Sequence, residues 1–320
     1  MALALEASEQ DRLTALQEAA LRAEVEQQPL VGAVTPAAAL RQLYAGNAAL
    51  AAKLPSFEAR YEAFRPVRGD GDCFPRAVLL RLGEIYAEAG VRAEAPAAAA
   101  AAVSPLQAHY SALVERVAGA ADLLVNAFGY NADTVPDFLS EGLGAFLRRL
   151  GQAPRAAAAP QPYAQLGGTE RSRSGYAIYA LRLLGSLEVL RREQEFMPFI
   201  LGLTGHGCAA DFCSATERSA EPDVDQVQVM AIAGALGVRL RIAYLDAGAA
   251  AAVHVVTIPE GAEAAALPPG APEIHLLYRP GHFDVAYERG APLPAFRGDA
   301  TAAAAADDAA EAAAEGAAAT

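Results

Sequence analysis

At 320 residues the chain has room for one large domain or two small ones. It is 53% hydrophobic, enough to build a core even though alanine, at roughly a quarter of the residues, inflates that figure. With 25 Lys and Arg against 38 Asp and Glu, the net charge of −13 repels phosphate backbones and anionic lipid, so neither nucleic acid nor a membrane surface is expected as a partner. No stretch holds the ~20 large apolar residues of a membrane span, the start lacks a basic leader, and Cys73, Cys208 and Cys213 are an odd number of thiols, so a reducing cytoplasmic (or nuclear) setting is expected.

Residues 9–27 have the pattern of an amphipathic helix, with Ser8 as N-cap and Leu13, Leu16, Ala20 and Val25 along one side, stopped by Gln28-Pro29. A second helix is expected over 36–54, followed by an apolar stretch at 57–64. The segment 65–73 is glycine-rich and turn-like, and 74–86 resumes a helical period through Val78, Leu79, Leu82 and Ile85. Residues 95–102 and 153–168 read as alanine-rich inserts between helices at 105–128, 135–150 and 176–193. A helix at 224–236 closes at Gly237, and 238–244 then alternates as a strand, with further strands expected at 253–258, 273–279 and 283–287. Helices first and strands last point to an α+β fold with a small sheet and a large helical part. From about 291 the chain is aperiodic, and five of its acidic charges lie in 298–320, so a disordered tail is expected. The domain plan is therefore an arm at 1–28, a globular domain at 29–290 and a tail at 291–320.

Cys73 stands between a glycine turn and a helix start, where the positive end of the helix favours a thiolate. The turn Asp70-Gly71-Asp72 can aim successive backbone N–H groups at one point, as an oxyanion requires. A cysteine in such a place can also be simply packed beneath the helix. A nucleophile needs a base, and His282 begins a strand on which Asp284, two residues on, shares its face and can orient the imidazole. His109, His206, His254 and His275 show no such carboxylate beside them and read as ordinary. His206, Cys208 and Cys213 are too few and too irregularly spaced for a metal centre, so neither metal nor cofactor is expected, and Cys213 reads as a packed thiol. Tyr179, Leu181, Leu183, Leu184, Leu187 and Leu190 read as core.

The segment Asp70-Gly71-Asp72-Cys73-Phe74, with Arg76-Ala77, resembles the Asp-Gly-Asn-Cys-Phe segment of OTU-type deubiquitinases, and Leu276 through Asp284 is similar to the otubain branch. Further similar stretches extend the resemblance over about 28–288. It implies a papain-like cysteine protease fold that hydrolyses isopeptide bonds to ubiquitin, with Cys73 as nucleophile, His282 as general base, Asp284 as its orienting carboxylate and Asp70 holding the oxyanion turn. Ubiquitin and polyubiquitin chains, lysine-48-linked ones above all, are the implied substrates. The N-terminal arm would help to hold a second ubiquitin, and 219–225 and 247–259 are candidate ubiquitin-gripping loops. Restraint of ubiquitin-conjugating enzymes without cleavage is the alternative. Asp72 stands where the family has Asn, and a carboxylate pointing at the sulfur would disfavour the thiolate.

Overall fold

A computed structural model describes residues 25–93, 103–152, 171–218, 225–248, 250 and 252–294. The helix expected at 9–27 lies almost wholly outside them, as do the inserts at 95–102 and 153–168 and nearly all of the tail. No described helix is long and apolar enough to cross a membrane.

Six strands form one sheet: β1 (Thr35–Pro36), β2 (Tyr61–Arg65), β3 (Arg239–Tyr244), β4 (His254–Ile258), β5 (Glu273–Arg279) and β6 (His282–Glu288), in the order β1-β2-β6-β5-β3-β4. All neighbours are antiparallel except β3 and β5, which run parallel. The late strands appear where the sequence places them. The two early ones correct the expectation of helices first and strands last, because β2 fills the stretch 57–64 in part and pairs with β6 at the far end of the chain.

The helix expected over 36–54 is also broken. A 3-10 turn (Ala37–Ala39) leads into α1 (Leu40–Leu43), and a separate helix, α2 (Ala48–Arg60), starts at Asn47, whose side chain accepts the Leu50 N–H at 3.1 Å. Asn47 is an N-cap placed inside what reads as one apolar period, so the cap chemistry prevails over the period.

The helical side begins with α3 (Cys73–Ala89) and α4 (Pro105–Phe128), the latter capped by Ser104 and closed by Gly129 in the left-handed region. Next come a short α5 (Val135–Asp137), a π-helical segment (Phe138–Gly144) and α6 (Ala145–Gln152). Then follow α7 (Arg171–Arg191), α8 (Glu193–Leu203), α9 (Ala209–Arg218), α10 (Gln226–Leu236) and a one-turn α11 (Gly261–Ala265). The sequence reading did not anticipate α8, which carries an internal Pro198.

Both faces of the sheet are covered. On one, Val285, Tyr287, Leu276 and Ile242 meet α3, α7 and α10 in the main core. On the other, Leu277, Ala286 and Ala243 meet Leu50, Leu54 and Phe57 of α2. Strands buried on both sides lose the apolar-polar alternation, which is why Ile274 to Leu277 reads as a nearly continuous apolar run. A bulge between Tyr61 and Ala63 lets Tyr61 and Phe64 face α2 while Ala63 faces the main core. The predicted core residues of α7 behave as expected, with Leu181, Leu183, Leu184 and Leu187 buried and Tyr179 and Leu190 half-buried against the cores.

Candidate active site

The first residue of α3 and the first residue of β6 are brought together by aromatic packing. The Phe74 ring lies edge-on to Phe283 at 5.1 Å, Phe283 meets Tyr278 at 5.1 Å, and Tyr278 meets Tyr244 at 4.8 Å. This ladder locks the residues flanking Cys73 and His282, so the two functional side chains inherit their spacing from the core. Between β5 and β6 the chain reverses through Pro280-Gly281, with Gly281 at φ 70°, the positive value that a turn with proline before it asks of glycine.

His282 Nε2 lies 2.8 Å from Asp284 Oδ1, and its other side takes a hydrogen bond with Cys73. Burial pushes the imidazole pKa down, but the hydrogen bonds and charges of Asp284 and Cys73 outweigh it and raise the value to about 9. Asp284 is wholly buried. Its Oδ1 also accepts the Val67 N–H at 2.9 Å, and Oδ2 pairs with the Arg279 guanidinium at 2.6 Å. A buried carboxylate with those partners stays in one orientation, and so does the imidazole bound to it.

The turn before Cys73 is built around a second ion pair. Arg76, buried three residues after Cys73 in the first turn of α3, forks onto Asp70 with bonds of 2.7 and 2.9 Å and reaches the Arg68 carbonyl at 3.3 Å. Asp70 in turn accepts the Asp72 N–H at 3.2 Å, with Gly71 at φ 87° between them. That bond corrects one expectation: the Asp72 N–H is spent inside the turn. An oxyanion would be met instead by the N–H of Cys73, which at the start of a helix has no intrahelical acceptor.

Asp72 itself is engaged by arginine side chains. Its carboxylate lies 2.7 Å from Arg182 on α7 and 3.8 Å from Arg76, and it makes no capping bond to α3. Two guanidiniums neutralise the negative charge that the sequence seemed to add beside the nucleophile.

Behind the site, Arg65 of β2 and Glu84 of α3 pair at 2.6 Å with both side chains out of solvent, and Glu84 also takes bonds from Arg81 and the Tyr287 hydroxyl. Burial pushes the Glu84 carboxyl upward, against the pull of those partners. The cluster ties the nucleophile helix to the two strands that frame the base.

The sequence-predicted residues Cys73, His282, Asp284, Asp70, Gly71 and Asp72 therefore converge on one place. Arg76, Arg182, Arg279 and Gly69 were not singled out for a role. Gly69 is exposed, yet a Cβ there would stand 3.2 Å from His282 Nδ1. The sequence sign of the arginines was available in part, since Arg76 and Arg279 sit within the two motifs, but a guanidinium's partner is not written in its spacing.

The profile of the Peptidase C65 Otubain family matches residues 23–288. The chain belongs to the otubain family. Similar proteins include the OVARIAN TUMOR DOMAIN-containing deubiquitinating enzyme 1 of Arabidopsis thaliana, 28% identical over 275 residues that span 82% of this chain and 81% of that one. Ubiquitin thioesterase OTUB1 of Homo sapiens is 27% identical over 236 residues, 74% of each chain. Among solved structures, the complex described as h/ceOTUB1-ubiquitin aldehyde-UBCH5B~Ub superposes with a TM-score of 0.67 at 27% identity, covering 87% of this chain and 98% of that one. A second complex carries UBC13~Ub in place of UBCH5B~Ub, again with a TM-score of 0.67. The α+β architecture is thus that of the otubains.

Cys213 and His109 of this otubain are packed structural groups. Cys213 is buried against the Ser186 carbonyl, and burial pushes its thiol up to about 12. His109 is held between the Tyr86 hydroxyl and the Gly237 carbonyl, and burial pushes its pKa down. His206 lies edge-on to the Phe212 ring. His275 departs from expectation: it has two carboxylates beside it, Glu273 at 3.1 Å and Glu288 at 3.4 Å. The neighbouring strand supplies Glu288, and Glu273 lies two residues back on its own strand face.

Proposed function

We propose that this chain is a cysteine-type ubiquitinyl hydrolase in which Cys73, His282 and Asp284 act as a triad. The observation that carries the reading is His282, bonded on one side to Cys73 and on the other to the wholly buried Asp284 carboxylate. The imidazolium stabilised by Asp284 is the partner a thiolate needs at neutral pH.

The Cys73 sulfur attacks the carbonyl carbon of the last glycine of ubiquitin, the carbonyl π pair moves to oxygen, and the Cys73 N–H at the helix start receives the oxyanion. As the tetrahedral intermediate collapses, His282 gives its proton to the departing lysine amine and a thioester remains. Neutral His282 then takes a proton from water, the hydroxide adds to the thioester, and the sulfur leaves with the imidazolium beside it restored. Asp284 moves no proton; it fixes the ring and its charge. Asp70 and Arg76 hold the turn rigid.

The test is covalent labelling by ubiquitin bearing a C-terminal electrophile. The wild-type chain and Cys208→Ala label, and Cys73→Ala does not. Cleavage of ubiquitin chains by the Cys73→Ala protein would overturn the reading. Lysine-48-linked chains are the substrate we infer from the family resemblance, with residues 1–27 holding the second ubiquitin. Their deletion then lowers cleavage of lysine-48-linked di-ubiquitin several-fold while single-ubiquitin labelling persists, and equal loss in both assays counts against an arm.

A second activity is favoured by the two similar complexes, which hold UBCH5B~Ub and UBC13~Ub. We infer that this chain also binds charged ubiquitin-conjugating enzymes, independently of the Cys73 sulfur. Co-elution of the Cys73→Ala protein with such a conjugate tests it, and its absence overturns it.

A further inference from the structure

At the end of β6 opposite the candidate active site, Glu273 and His275 of β5 and Glu288 of β6 converge. Their ligand atoms lie within 4.8 Å of one another. His275 Nε2 stands 3.1 Å from Glu273 Oε1 and 3.4 Å from Glu288 Oε2. Donors about 2.0–2.2 Å from a tetrahedral zinc ion sit roughly 3.3–3.6 Å apart, close to the two separations from His275 Nε2, and the carboxylates need only small movements to close the third. We propose that Glu273, His275 and Glu288 bind a divalent transition metal of the Zn2+ class.

The surroundings support this set on three counts. First, the histidine is oriented from behind: its Nδ1 faces the Tyr61 hydroxyl at 3.4 Å, the kind of partner that fixes the tautomer of a metal-bound imidazole. Second, the His275 side chain is only 10% exposed, so the ring is held in place between the strands with Nε2 facing both carboxylates. Third, the carboxylates are braced from outside, Glu273 by Arg241 at 2.8 Å and Arg239 at 3.5 Å, and Glu288 by Arg60 at 3.2 Å. The side chains of Glu273 and Glu288 are 33% and 39% exposed, which leaves water free to complete the coordination.

With Nε2 on the metal, the remaining ring proton would sit on Nδ1, where the Tyr61 hydroxyl can accept it. One His nitrogen with two carboxylate oxygens suits zinc rather than the all-oxygen shells of calcium or magnesium. Glu288 lies six residues along β6 from His282, about 20 Å at the usual strand rise, so the ion cannot touch the reacting atoms. It would clamp the ends of β5 and β6 to the bulged end of β2.

The experiment uses the full chain as Cys73→Ala, which keeps zinc from the catalytic thiol. Zn2+ is titrated by calorimetry and bound metal is counted after dialysis. The expected result is one ion per chain, with no uptake of Mg2+ under the same conditions. Glu273→Gln and Glu288→Gln, partly exposed changes, abolish the binding, whereas His206→Ala leaves it intact. Tyr61→Phe keeps the ring and weakens affinity roughly 10-fold or more. Melting temperatures without zinc confirm that each variant is folded. Stoichiometry below one, or an affinity that neither glutamate substitution moves, overturns the proposal. Loss with His206→Ala overturns it as well, since the ion would then sit elsewhere.

Discussion

Asp72 and Arg182 meet at 2.7 Å across the space between the nucleophile turn and α7, and Arg182 also reaches the Gly71 carbonyl at 3.5 Å. A charge that the sequence places next to Cys73 is thereby paired with a guanidinium. The substitution of Asp for the family's Asn and the presence of Arg182 form one unit.

This coupling makes a prediction about labelling rates. Arg182→Ala takes the nearer guanidinium from the Asp72 carboxylate, with Arg76 at 3.8 Å, and slows labelling by the ubiquitin electrophile several-fold. Asp72→Asn alone changes the rate little, because its charge is already met. Added to Arg182→Ala, it restores most of the lost rate. If Asp72→Asn alone accelerates labelling strongly, the carboxylate acts on the sulfur despite its partner.

A second prediction concerns stability. Glu84 is wholly buried with Arg65, Arg81 and Tyr287 around it, and removing it takes the paired carboxylate from the buried Arg65 guanidinium. Glu84→Ala should cost roughly 3–5 kcal/mol in a urea titration. Glu58→Ala, which breaks a pair with the exposed Arg41, should shift the midpoint hardly at all. Equal effects would mean that the buried cluster is not what joins α3 to β2 and β6.

The parts of this molecule that could be read from sequence are those where one local rule decides. Gly237 ends α10 because only glycine takes φ 68° cheaply, and the Pro-Gly before His282 makes the reversal that starts β6. Cys73 at a helix start and the two-residue step from His282 to Asp284 are likewise local. What could not be read depends on partners far along the chain. Tyr61 to Arg65 becomes a strand only because β6, more than two hundred residues on, offers an open edge. Asp72 looks harmful until Arg182 is in place, and His275 looks ordinary until Glu288 arrives from the adjacent strand. Asn47 is the converse, a local capping signal hidden within an apolar period.

Gly69 gives a third prediction. An added methyl would press on His282 Nδ1 at 3.2 Å and Cε1 at 3.6 Å, the side of the ring that serves Cys73. Because the position is exposed, Gly69→Ala keeps the melting temperature near that of the parent. Displacing the reacting ring by even a fraction of an ångström should lower labelling roughly 10-fold, since misplacements of ~1 Å cost about 100-fold. A ubiquitin affinity close to the parent's, measured in the Cys73→Ala background, separates this from lost binding. A parent-like labelling rate would show that the loop yields and the ring does not.

The last prediction follows from the imidazole. Its pKa is raised from 6.5 to about 9 in the folded chain, chiefly by Asp284 and Cys73 working against burial. A raised value means that the charged ring is favoured by folding, so this stabilisation is complete below about pH 6.5 and fades as pH climbs through 9. In the proposed mechanism the same proton is the one delivered to the leaving amine. Cleavage should therefore hold through neutral pH and fall on an alkaline limb near 9, as His282 loses its proton. Asp284→Asn removes the nearest negative charge while keeping an acceptor for the ring, so the limb must move to lower pH and the plateau rate must drop. Stability measured alongside should lose its excess at neutral pH relative to strongly alkaline conditions. A limb that stays in place in Asp284→Asn would show that the carboxylate is not what holds the proton on His282.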